Sequence, residues 1–101
     1  MDVLRVSATS PARALAGAIA GVIRQEGRAE LQAIGAAAVN QAVKAAAIAQ
    51  TFLELDGLDI VLIPAFTQVV IEGQEKTAVR FIVGIWPHSG QGGTMYAHPV
   101  C

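Results

Sequence analysis

The stretch Ala29–Gly57, AELQAIGAAAVNQAVKAAAIAQTFLELDG, decides how the chain is read. Its first residues, Ala29–Ile34, form a short strand signal, and Gly35 punctuates it. Ala36–Glu54 then predicts a helix. At 100° per residue Asn40, Lys44, Thr51 and Glu54 fall on one side. Apart from Gln41 and Gln50, the rest of that helix is Val, Ile, Phe, Leu and Ala, so more than half of its circumference is apolar. The small alanine side chains suit close packing on a sheet or on a second subunit. Asp56–Gly57 breaks the run.

Upstream, Val3–Ser7 alternates, with Val3, Arg5 and Ser7 on one face and Leu4 and Val6 on the other, as in a strand. Ser10 is placed to cap a helix and Pro11 to be its first residue. Leu15, Ile19, Val22 and Ile23 follow at helical spacing, and Gly27 is placed to end that helix in a left-handed conformation. Downstream, the apolar run Leu58–Ile63 predicts a central strand buried on both faces. Pro64 interrupts its ladder. Phe66–Ile71 continues extended, Glu72–Lys76 is a turn, and Thr77–Ile85 returns as the second arm of a long hairpin. The order β-α-β-α-β-β predicts an α/β (α+β) two-layer sandwich, a four-stranded mixed sheet with two helices on one face. The domain spans 1–86, and a Gly-rich tail occupies 87–101.

The whole chain has 101 residues, 53% of them hydrophobic and only 15% charged. Soluble domains average about 25% charged residues. A small chain with so few charges has apolar surface left over, which favours a homodimer or higher homo-oligomer. The formal net charge is −1, where a domain living on phosphate contacts usually carries a basic excess. Cys101 is the one cysteine, so no internal disulfide forms and a reducing, cytoplasmic compartment is expected. No signal peptide and no membrane-spanning run are read, and no membrane partner is expected.

Catalytic chemistry finds little support. No Ser/His/Asp or Cys/His arrangement is suggested, and no cofactor is implied. His88, His98 and Cys101 in the tail are a weak metal set whose spacing matches no usual finger or ribbon. Ser89–Gly93, SGQGG, lacks the Lys-Ser/Thr ending and the following helix of a phosphate-binding loop. Two places carry more. Ser7–Arg13, SATSPAR, offers the hydroxyls of Ser7, Thr9 and Ser10 at a helix start, with Arg13 one turn in. Either this is an anion or phosphate site, or it is plain helix capping. Asn40, Gln41 and Lys44 near the start of the second helix form either a contact surface or a solvated stripe.

The segments LRVSATSPARALAGAIAGVIR, AELQAIGAAAVNQAVKAAAIAQTFL and DIVLIPAFTQVVIEGQEKTAVRFIV resemble the bacterial stage V sporulation protein S family, over about Asp2 to Ile85. That family is similar in fold to the Alba superfamily of DNA- and RNA-binding proteins. The resemblance implies a cytoplasmic, oligomeric developmental regulator with DNA or RNA as partner and no enzymatic reaction. In Alba proteins the binding face uses two loops and a hairpin, which fall here at Ala8–Arg13, Ile34–Val39 and Glu72–Lys76. Alba proteins place lysines in the first loop, where this chain has Thr9, Ser10 and Pro11. They place arginines around the glycine of the second, where it has Ile34 and Ala36. The residues expected to bind are therefore Arg13, Lys44 and Lys76 on phosphates, with Thr9, Ser10 and Asn40 as hydrogen-bonding groups. The alternative is a homo-oligomeric scaffold or protein-interaction module without nucleic acid, its protein partner unknown.

Overall fold

A computed structural model describes residues 3–87. Its elements are β1 (Val3–Val6), α1 (Ala12–Glu26), β2 (Arg28–Ala33), α2 (Ala36–Glu54), β3 (Ile60–Ile71) and β4 (Gln74–Ile85). The β-α-β-α-β-β order, the four-stranded mixed sheet and the two helices are those expected. The strands lie side by side as β1-β2-β4-β3. β1 and β2 run parallel, while β2–β4 and β3–β4 are antiparallel. Pairing places Leu4 beside Leu31 and Leu31 beside Phe81, and Ala29 beside Val83. These side chains share one core with Ile19 and Ile23 of α1 and Leu53 of α2, so both helices cover that face of the sheet.

The two helices bury different kinds of stripe. In α1 the buried residues are Ala16, Ile19, Ala20 and Ile23, at the i, i+3, i+4, i+7 spacing of one helical face. In α2 they are Ala38, Ala42, Ala45, Ala46, Ala49 and Leu53. Five of these six are fully or almost fully enclosed alanines in the shared core or beside it, so α1 and α2 meet through small side chains. Gly27 ends α1 with φ 78° and donates its N–H to Ile23 O at 2.9 Å. Gly35, with φ 89°, makes the sharp entry from β2 to α2. Gly57 N–H to Glu54 O (3.0 Å) and Leu58 N–H to Leu53 O (3.1 Å) are the paired bonds of a Schellman ending.

Three expectations are corrected. Ser10 does not cap α1: Pro11 holds the cap position without a side-chain bond, and the Ser10 hydroxyl turns back to accept Ser7 N–H at 2.9 Å. Leu58–Ile63 is not a central strand; β3 begins at Ile60 and lies at the sheet edge. Nor does Pro64 break it, because the strand runs through to Ile71 with Pro64 opposite Phe81. An edge strand tolerates proline since one of its sides needs no partner. The strand β2 stops pairing at Ala33–Val79, so the five pairs from Thr67–Ala78 to Ile71–Gln74 form an arm beyond it.

The tip of that arm is a two-residue turn in which Glu72 (φ 52°) and Gly73 (φ 77°) are both left-handed. Such turns match the twist of the flanking strands and favour Asn-Gly over Glu-Gly. A glutamate there carries a steric cost that asparagine largely avoids. Glu72→Asn is therefore expected to stabilise the chain by up to about 1 kcal/mol, read as a higher urea midpoint with an unchanged slope.

Candidate nucleic-acid interface

The parallel strands β1 and β2 end side by side, and each hands over to a helix through a tight loop. After β1, Ser7, Thr9 and Ser10 bond to one another. The Ser7 hydroxyl lies 3.2 Å from both the Thr9 and the Ser10 hydroxyl, and it accepts Thr9 N–H at 3.3 Å. Ser10 N–H donates to Ser7 O at 3.1 Å. The loop is also held from α2, where Gln41 Nε2 donates to Ser10 O at 2.7 Å. That bond joins residues 31 apart and fixes the β1–α1 loop to the first turns of α2. Gln41→Ala is expected to cost about 1 kcal/mol and to speed amide exchange across residues 7–10.

The open face of the sheet, away from the helices, carries its polar side chains in register. Arg5 of β1 sits beside Gln32 of β2, and Gln32 beside Arg80 of β4. Glu30 and Arg28 lie on the same face of β2, two and four residues away from Gln32. At the carboxyl ends of β1 and β2 this face deepens into a cleft of about 570 Å³. Arg5, Ser7, Ala8, Gln32 and Ile34 line one side, and Val69–Ile71 of the hairpin arm close the other.

The cations differ in availability. Arg24 is tied: its Nε donates to Asp56 Oδ2 at 2.6 Å and its Nη2 to Phe52 O at 3.3 Å. Among the described residues Arg5, Arg13, Arg28, Lys44, Lys76 and Arg80 form no ion pair. The Nε of Arg80 is shielded from solvent and meets no hydrogen-bond partner there. A shielded guanidinium N–H without an acceptor is a donor in want of one.

Of the residues singled out from sequence, Thr9 and Ser10 belong to the hydroxyl loop bordering the cleft through Ser7. Lys76 is exposed on the arm, opposite the cleft-lining Val69. Arg13 is exposed one turn into α1. Asn40 lies on the other side, in an apolar groove with Val39, Val43, Phe66, Thr77 and Val79. Lys44 is exposed one turn further along α2 and does not border the cleft. Sequence reasoning placed Ile34 in the second loop of the expected face but missed Gln32 and Val69–Ile71, although the alternation Val3-Arg5-Ser7 puts Arg5 and Ser7 on one face. His88, His98, Cys101 and the Ser89–Gly93 segment lie outside the described residues; among those described, no three His, Cys, Asp or Glu side chains gather as a metal site.

Residues 2–85 match the family model of stage V sporulation protein S. The chain belongs to the stage V sporulation protein S family. The match stops where β4 stops, so it takes in every helix and strand above and leaves the tail outside it. Membership makes this a sporulation-related protein, and its β-α-β-α-β-β sandwich is consistent with an Alba-like superfamily fold. No helix among the described residues is long and apolar enough to cross a membrane.

Proposed function

We propose that this sporulation-family protein is a non-enzymatic regulator that binds nucleic acid through the end of the sheet where the β1–α1 loop, the β2–α2 loop and the hairpin arm converge. The observation that carries this reading is the set of uncommitted cations there. Arg5 and Arg80 share the open face, Lys76 stands on the arm, and Arg13 lies just beyond the hydroxyl loop; none is spent on an internal ion pair. The net charge of −1 includes Asp56, taken by Arg24, and Asp59, taken by Gln50, both away from this patch, while Glu30 shares the open face and Glu72 and Glu75 lie on the arm with Lys76. Thr9 and Ser10 add hydroxyls for phosphate oxygens, the kind of contact that positions without reading sequence.

The test is a titration against labelled duplex and single-stranded DNA and RNA at about 50 and 200 mM salt. Three phosphate contacts predict a loss of duplex affinity of about 40-fold over that fourfold change in salt. Absence of binding at the lower salt would overturn the proposal.

A second reading, a homo-oligomeric scaffold, is favoured by a separate feature. Val39 and Val43 of α2 face Pro64, Ala65, Phe66, Val79 and Phe81 across an apolar groove of about 510 Å³. Phe66, one of its walls, is 81% exposed. A second copy of the chain laid on this groove would cover it. Sedimentation as a monomer at micromolar concentration would count against this reading.

A further inference from the structure

We propose that the cleft beneath the hairpin arm accepts one unstacked base of a single-stranded nucleic acid, so that the chain prefers single strands to duplex. This rests on the nucleic-acid reading above and specifies its ligand. The cleft volume, about 570 Å³, lies in the range of small-molecule sites, roughly 300–1,000 Å³. Its composition argues against a site for a bare anion. Ile34 on one wall and Val69–Ile71 on the other offer apolar contact, and Ile34 and Ile71 are 36% and 40% exposed. Its polar groups argue equally against a purely apolar ligand. Gln32 carries both a donor and an acceptor on one carboxamide, the combination a base edge needs. Arg5 carries a planar guanidinium, which stacks on bases as well as pairing with phosphate. Neither side chain makes a hydrogen bond among the described residues.

The surroundings fit a strand rather than a free base. Ser7 of the hydroxyl loop borders the cleft on one side, and Lys76 stands across the strand pair from Val69 on the other. A backbone crossing the cleft mouth between them would leave one base pointing inward. Duplex holds its bases stacked and paired, so it reaches the phosphate-binding groups only and not Gln32.

The experiment uses the full chain and three labelled probes of one sequence at about 50 mM salt: a single strand, its duplex, and a single strand with abasic sites at alternate positions. The single strand is expected to bind about tenfold tighter than the abasic strand, the size of a good base-edge contact. Gln32→Leu, which keeps the bulk and removes the carboxamide, should erase that difference and leave duplex affinity unchanged. Lys76→Ala should weaken all three probes alike. Equal binding of intact and abasic strands overturns the base-binding inference while leaving the nucleic-acid reading standing, and needs no variant to fold. Failure of every probe to bind overturns both.

Discussion

Replacing Ala45 with leucine is expected to destabilise the chain by about 1–3 kcal/mol, measured as a fall in the urea midpoint. Ala45 is fully buried in the core where α2 meets α1, with Ala42 and Ala49 one turn to either side and Ala16 and Ala20 in the same core. Three extra heavy atoms at that contact must push the helices apart or force a side chain off its rotamer. A domain of this size commands only about 5–15 kcal/mol in total, so the change is large. The matching substitution at Ala37, exposed on the first turn of the same helix, should stay within about 0.5 kcal/mol. Leucine and alanine are both good helix formers, so the contrast between the two sites isolates packing from propensity.

Gln50→Ala is expected to cost about 2–3 kcal/mol and to expose the amide of Ile60 to exchange. The Gln50 side chain is a clasp between α2 and the start of β3. Its Oε1 accepts Ile60 N–H at 2.8 Å, and its Nε2 donates to Asp59 Oδ1 at 2.8 Å and to Leu58 O at 3.4 Å. Alanine leaves those part-buried groups without this partner, which is dearer than the loss of an exposed hydrogen bond. Gln50→Glu restores the acceptor for Ile60 but sets a carboxylate against Asp59, so it should rescue little. Global unfolding and amide exchange at Ile60 together separate a local opening of β3 from loss of the whole fold.

Much of the fold was legible because local chemistry and tertiary need agreed. The α2 limits, Ala36 and Glu54, follow from Gly35 before the helix and Asp56–Gly57 after it. The hairpin follows from its Gly-containing turn between two apolar runs. The edge position of β3 was not legible. An apolar run reads as buried on both faces, yet Ile63, Phe66 and Val70 are exposed in the described chain. Ser10 misled for another reason: serine before proline looks like a cap, but its hydroxyl had a nearer donor in Ser7 N–H. In sequence Gln41 stands out only as a contact surface or solvated stripe and Gln50 not at all, since nothing local says that one reaches Ser10 and the other Ile60. The candidate site divides the same way. The hydroxyl loop is contiguous in sequence and was found. The cleft draws on residues 5–8, on Gln32 and Ile34, and on residues 69–71, and only the strand order brings them together.

The proline in β3 carries one more implication. A twelve-residue strand at a sheet edge, with Phe66 and Val70 standing out from it, has the makings of an aggregation template. Proline in a strand sits with its missing N–H on the free side. Pro64 thus splits the open edge into Ile60–Ile63 and Ala65–Ile71, and an incoming strand cannot hydrogen-bond along its full length. The exposed apolar side chains are left free to meet a partner through their faces, while the backbone beside them is denied the continuous register that fibre growth requires.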